Sequence, residues 1–385
     1  MISFKKIDPE IIKTVSLLEN KDETLDCVVY VNSYFKSKEK FVDKYKNVYE
    51  YPFINAFGIK LKKDDILSIA NYSLVTYIAK QTTVFAQIDV AKKIMELDAF
   101  YDREVYGKNI TVAVIDTGIS NHLDFCFPKN KVIKFVDLIN GKQKPYDDNG
   151  HGTFVSSILC GTGISSGFKY SGVAPKVDII SIKALKDNGE TGAFKILEAM
   201  QWVYDNHKKY NIKVVCMSFG SSPTTNNDPM MLGAEVLWNS GIVVVAAAGN
   251  SGPNGNTIKS PGISGKVITV GGFDDKRKDG KVKEEEFAVA SFSSRGPAGY
   301  FYKPDVVAPA VDISGANVKG GYTKMSGTSV ATPMVAGIAC LILEKQPNIT
   351  PSQVKNLIIK SCKKISSSKN SDGFGFIKSN NIKIW

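Results

Sequence analysis

Four short strings carry the residue types of nucleophilic acyl transfer: Asp116-Thr117-Gly118, His151-Gly152-Thr153, Ala248-Gly249-Asn250 and Gly327-Thr328-Ser329. A serine hydroxyl is a weak nucleophile until a neighbouring base takes its proton, and an imidazole suits that task near neutral pH. A carboxylate behind the imidazole holds its tautomer and stabilises the cation that forms. An asparagine amide, with a backbone N–H at a helix start, donates to a carbonyl oxygen as it becomes an oxyanion. Each string also has a plainer reading. Ser329 alone is an ordinary helix-capping serine, and Asn250 alone is a turn residue in Gly249-Asn250-Ser251-Gly252. Asp116 alone is a turn former, or a phosphate or magnesium ligand in an α/β hydrolase of another kind. No glycine-rich phosphate loop accompanies Asp116, and His122 and His207 lack the Gly-Thr context of His151. The four strings together, in the order Asp, His, Asn, Ser, favour the joint reading over the separate ones.

The elements that must position these groups read as alternating strands and helices. Strands are expected over 111–115, 177–182, 214–217, 243–247 and 267–270. The first, third and fourth are almost continuously apolar, as parallel strands covered on both faces require. Helices are expected near 152–160, 193–209, 230–239, 328–345 and 351–361, with Pro333 in the first turn of the fourth, where a missing N–H is tolerated. Gln346-Pro347-Asn348 stops that helix, and Thr350 caps the next with Pro351 at its first position. The result is a three-layer α/β domain with a mostly parallel sheet. Upstream, strands over 26–31, 51–59 and 74–78 alternate with helical stretches to about Lys46 and over 64–71, a small α+β unit with its own apolar pattern. The chain thus divides into 1–86 and 87–385.

From about residue 85 onward the strings resemble those of subtilisin-type serine proteases, and the chain looks most like their intracellular bacterial members. The resemblance implies a serine endopeptidase that hydrolyses peptide bonds through an acyl-enzyme. Ser329 would attack, His151 would shuttle the proton, Asp116 would orient the imidazole and Asn250 would hold the oxyanion. It implies polypeptide substrates lying by strand addition between Ser218-Phe219-Gly220 and Ala247-Ala248-Gly249. The loop 186–192, with Gly189, would meet the substrate further from the scissile bond, and small residues would leave room for a primary side-chain pocket. Lys259 precedes Ser260-Pro261-Gly262, which resembles the far wall of that pocket. A lysine there either attracts an acidic side chain or snorkels to water.

Residues 1–86 resemble the ferredoxin-like propeptide of such precursors, a folding chaperone and inhibitor removed by self-cleavage between about 80 and 88. The stretch Gln81-Thr82-Thr83-Val84-Phe85-Ala86 holds no acid, which counts against an acidic preference. Two alternatives stay open: a retained N-terminal domain that keeps the protease latent, and a non-catalytic scaffold of the same fold. The family commonly has a histidine where Phe154 stands. No cofactor is implied for catalysis. Asp124 resembles a calcium ligand of relatives, but the remaining ligands are not recognisable in 161–170.

Composition narrows the setting. The 385 residues are 43% apolar and 23% charged, with a net charge of +11. The lysines are scattered, and runs such as Lys276-Arg277-Lys278-Asp279 are broken by acids, so a nucleic-acid partner is not expected. The first residues lack an apolar stretch of signal length, and no uninterrupted apolar run of membrane-spanning length is seen. The six cysteines show no paired spacing. A reducing, cytoplasmic setting without a membrane partner is the expectation.

Overall fold

Cys27, Val29 and Val31 are buried at alternate positions of the first strand, the pattern of an antiparallel sheet with one covered face. The computed structural model describes residues 4–9, 11–12, 24–46, 48–80, 90–223, 227–277 and 281–384, and forms two compact units, 1–86 and 87–385.

In the first unit β1 (Thr24–Val31), β2 (Tyr49–Tyr51), β3 (Ala56–Lys62) and β4 (Val75–Lys80) pair antiparallel in the order β2-β3-β1-β4. Helices Tyr34–Val42 and Lys63–Ala70 follow β1 and β3, so the element order is β-α-β-β-α-β. Phe41, Phe57, Ile66, Ile69 and Val75 share one core with the β1 residues. The single strand expected over 51–59 is two. Pro52 opens a short 3-10 turn, Pro52–Ile54, and Asn55 at φ 48° turns the chain back. The first helix ends at Val42, short of Lys46.

The second unit is built on a ten-stranded sheet. Its parallel strands are β5 (Thr111–Asp116), β6 (Val132–Asp137), β7 (Asp178–Lys183), β8 (Ile212–Met217), β9 (Val243–Ala247), β10 (Ile268–Asp274), β12 (Val306–Pro309) and β16 (Phe376–Ile377). Short antiparallel strands β11 (Ala288–Val289) and β15 (Cys362–Lys363) join β10 and β16. A separate hairpin pairs β13 (Ile313–Ala316) with β14 (Tyr322–Met325). The sheet runs β15-β16-β12-β10-β9-β8-β5-β7-β6. Chain order therefore reverses around β5, and in open α/β sheets ligands bind beyond the carboxyl ends of the strands at such a reversal. Asp116 stands at that end of β5.

Helix Thr328–Lys345 packs across β8, β9, β10 and β12 and against helix His151–Cys160. It is apolar all round, as a helix buried on every side must be. Burying each large aliphatic side chain there, such as Val335, Ile338 or Leu341, contributes about 1.5–3 kcal/mol. By length and composition this helix could cross a membrane, but 83% of it is buried inside the protein. Pro333 lies in its second turn rather than its first, so it supplies no N–H to the Ser329 carbonyl; nearby, Thr332 Oγ1 donates to the Thr328 carbonyl at 2.8 Å. Helix Pro351–Lys360 starts as expected, with Thr350 and Gln353 forming a reciprocal capping box.

Candidate active site

Asp116 is 1% exposed, and its carbonyl accepts from the Ala184 and Leu185 N–H groups, which fixes the strand end. Its Oδ1 accepts from the Thr117 N–H at 2.7 Å and from His151 Nδ1 at 2.8 Å. A carboxylate can only accept, so His151 carries its proton on Nδ1 and keeps the Nε2 lone pair. His151 is the first residue of its helix, behind Gly150, and its side chain is 26% exposed while the rest of that helix is buried. Burial lowers the His151 pKa, but the Asp116 charge and hydrogen bond, together with Asp147, outweigh it and hold the pKa above 6.5.

Two residues that the sequence did not single out hold this pair in place. Asp147 Oδ1 accepts from Thr117 Oγ1 at 2.9 Å and the Gly150 N–H at 2.8 Å. Its Oδ2 accepts from the Thr153 N–H at 2.8 Å and Thr153 Oγ1 at 2.7 Å. Burial raises the Asp147 pKa, but these donors prevail and keep it below the usual carboxylate value. Asp147 thereby ties the exit of β5 to the start of the histidine helix, where a negative charge is also favoured by the helix dipole. The signal for it was a polar loop ahead of a helix start, the usual place for a capping carboxylate. Lys183, fully buried opposite Asp116 in β7, donates to the Thr117 carbonyl at 2.7 Å, the Leu185 carbonyl at 3.0 Å and Asp148 Oδ1 at 2.6 Å. Phe154 is fully buried, and a Cβ on Gly315 would sit 2.8 Å from its ring, so the phenyl group closes the space between the histidine helix and β13.

The other two strings meet on the far side of the sheet reversal. Ser329 is the one partly exposed residue between Gly327 and Leu343. Asn250 Oδ1 accepts from the Thr328 N–H at 2.9 Å and Thr328 Oγ1 at 3.0 Å, which leaves the Nδ2 donors free of partners among the described residues. Gly327, at φ 149°, brings the chain so close to Asn250 that a Cβ would lie 3.3 Å from Nδ2. No hydrogen bond joins Ser329 to His151 here; such contacts often tighten only around bound substrate.

The expected groove is partly rearranged. Ser218, Ala247 and Ala248 are buried, so Phe219, Gly220, Gly249 and Asn250 provide the surface. Strand addition along Ala247-Ala248-Gly249 is not open, because its main chain is already engaged. The Ala248 N–H donates to the Val270 carbonyl, the Ala248 carbonyl accepts from Lys259, and Gly249 bonds Thr328 Oγ1 and the Ser294 N–H. That segment is a wall. Gly189, at φ 79°, lies in a loop tied to the histidine by Asn149, whose Nδ2 donates to the Asp187 carbonyl at 2.7 Å and whose Oδ1 accepts the His151 N–H at 3.1 Å.

Asp124 is not part of this cluster. It is fully buried; Oδ1 accepts from the Ser165 N–H at 3.0 Å and Oδ2 from Tyr322 Oη at 2.6 Å. Both oxygens are thus bonded within the protein, and among the described residues no group of three His, Cys, Asp or Glu side chains converges to hold a metal. A calcium ion needs six to eight oxygen ligands, and this arrangement does not fit one.

The profile of the subtilase family matches residues 107–376. Serine protease AprX of Bacillus subtilis strain 168 is 41% identical over 274 residues, covering 66% of this chain and 61% of AprX, so the chain spans less than two thirds of that relative's length. Subtilisin DY of Bacillus licheniformis is 36% identical over 253 residues, covering 65% of this chain and 82% of the relative. The crystal structure of a cold-adapted subtilisin-like serine proteinase superposes with a TM-score of 0.57 at 29% identity, covering 71% of this chain and 88% of the other. The sheet with its crossing helices is therefore a subtilisin-like α/β fold, and the chain belongs to the subtilase family of serine proteases.

Proposed function

We propose that this chain is a serine endopeptidase acting on polypeptides through an acyl-enzyme. The observation that carries the reading is the 2.8 Å bond from His151 Nδ1 to Asp116, which leaves Nε2 as the basic nitrogen. In the proposed reaction Ser329 Oγ attacks the scissile carbonyl carbon while its proton passes to His151 Nε2. Asp116 stabilises the imidazolium without taking the proton. The oxyanion accepts from Asn250 Nδ2 and the Ser329 N–H, and collapse of the tetrahedral species expels the amine with the proton from His151. Water then repeats the sequence to free the acid. Substrate main chain pairs along Phe219-Gly220, with Gly189 further out.

Residues 1–86, with a core of their own, are read as a propeptide that assists folding and blocks the site until self-cleavage. Of the stretch from about 80 to 88 expected to carry the cut, residues 81–88 lie outside the described residues. Cys27, Cys160, Cys216 and Cys340 are buried single thiols, which supports a reducing, cytoplasmic setting. Intact mass and fluorophosphonate labelling, run on the wild type and Ser329→Ala, test the whole reading. Loss of about 80–88 residues with labelling in the wild type, and neither in the variant, supports protease and propeptide together. A labelled but full-length protein makes the first unit a retained domain, and a full-length protein without label makes a latent precursor or an inactive scaffold the better account.

A further inference from the structure

Gly220 and Gly249 face each other across the groove, and between them runs the Lys259 side chain. The Lys259 N–H donates to the Ala248 carbonyl at 2.9 Å, and the next residue pairs antiparallel with Ser221 through bonds of 2.9 and 3.1 Å. Lys259 is thereby fixed in the main-chain ladder that links the two walls. A Cβ on Gly220 would lie 2.6 Å from Lys259 Cβ, and one on Gly249 would lie 2.4 Å from Lys259 Cγ. The two glycines make room for this stem and do not line an empty slot, contrary to the expectation that small residues leave the pocket open.

The ammonium continues to Ser222 Oγ at 2.9 Å and has no carboxylate partner among the described residues. Asp228 sits close in the same corner, but its Oδ1 accepts from Ser260 Oγ and from the Met230 and Met231 N–H groups at the start of its helix. Asn250 follows Gly249 directly. A carbonyl oxygen held at Asn250 Nδ2 therefore lies one residue along the chain from the Gly249 wall and the Lys259 stem behind it.

The geometry points to Lys259 as the floor of the primary pocket and the group that favours an acidic substrate residue, the one whose carbonyl is attacked; the acid-free stretch Gln81–Ala86, cut once within its own chain, does not depend on that preference. This rests on the acyl-transfer reading above and adds the substrate class to it. A carboxylate gains a charge-assisted partner that is otherwise shared only with a hydroxyl, while a phenyl ring meets the lysine methylenes where it needs depth.

The test is a set of peptides identical except for Glu, Gln, Phe or Lys at the scissile position, assayed as kcat/KM on the purified protein, Lys259→Ala and Lys259→Glu. Wild type is expected to prefer Glu to its neutral isostere Gln by roughly tenfold or more. That ratio is expected to fall to near unity in Lys259→Ala and to turn toward Lys in Lys259→Glu. Each ratio is internal to one preparation, so a smaller folded fraction in a variant cancels. Equal cleavage of Glu and Gln by the wild type, or a preference that survives Lys259→Ala, overturns the assignment while the turnover itself upholds acyl transfer. For protein that has lost its N-terminal stretch of about 80–88 residues by intact mass, no turnover of any peptide together with no fluorophosphonate label on Ser329 overturns both.

Discussion

Asp116 with His151 and Asp124 with His122 are the same two residue types on either side of the turn that leaves β5, wired in opposite senses. His151 gives its Nδ1 proton to a carboxylate and keeps Nε2 open, with a quarter of the side chain exposed. His122 does the reverse. Its Nδ1 accepts from the Asp124 N–H at 3.2 Å, its Nε2 proton goes to the Gly321 carbonyl at 3.1 Å, and the ring is buried against Phe125 and Tyr322. Both nitrogens of His122 are occupied and its carboxylate neighbour is sealed by Tyr322 and Ser165. The difference teaches that an Asp–His pair becomes a candidate base only when the acid takes the inner nitrogen and the outer one is left without a partner.

That contrast is most directly broken at the two acids. Asp116→Asn is expected to lower kcat by about 10⁴-fold, the loss known for a neutralised triad aspartate in a chymotrypsin-type enzyme. Asp124→Asn is expected to act on melting temperature and leave kcat of the folded protein near wild type. A comparable fall in kcat for both would erase the distinction. Asn250→Ala probes the opposite wall, with an expected loss of about 10²–10³-fold in kcat at similar KM, a magnitude carried over from the corresponding donor of a subtilisin. A change in KM alone would make Asn250 a turn residue only.

Tyr322→Phe removes the hydroxyl that closes Asp124, and an expected cost of about 1–3 kcal/mol would be read by denaturant titration. Since the Asp124 oxygens are filled by protein donors, added calcium is expected to shift the melting temperatures of the wild type and Asp124→Asn by the same amount; a rise confined to the wild type would refute that filling.

The smallest effect concerns pH. The His151 pKa is held above 6.5 and the base must be neutral, so kcat/KM is expected to rise with pH through a midpoint above 6.5. In a Ser329→Ala background, where no turnover intervenes, Asp116→Asn deletes the charge and hydrogen bond that raise the pKa. The NMR midpoint of His151 is then expected to fall, and an unmoved midpoint would contradict the cause assigned here.

How far these features were legible depends on how they are encoded. Asp116, His151, Asn250 and Ser329 each sit in a string where glycine or threonine neighbours mark a tight chain reversal, and the apolar runs of β5, β8 and β9 mark buried parallel strands. Asp147 was hidden because part of what it holds is backbone N–H, which every sequence contains, and its two hydroxyl partners, Thr117 and Thr153, sit in strings read for Asp116 and His151. Thr328 sat in a motif whose serine drew the reading, although Thr328 is what orients Asn250. The Asp124–Tyr322 contact spans residues far apart in the chain, and nothing local in either string announces it. β6 was missed because Lys134 and Asp137 interrupt its apolar residues near the sheet edge, and the β13–β14 hairpin because glycine and lysine dilute its alternation. The groove was misjudged for a related reason: glycine signals room, but not which neighbour fills it.

The near-complete burial of helix Thr328–Lys345 has a consequence for how the protein fails. Amides in a segment packed on every side exchange with solvent only when the whole domain opens, whereas frayed ends and loops exchange by local fluctuation. Ser329 is the second residue of that segment and His151 the first residue of another buried helix, so both groups sit at helix starts, where local opening begins. Early thermal inactivation should therefore come from fraying at these two starts that reverses on cooling, whereas exchange of the helix interior beyond Pro333 should coincide with global unfolding.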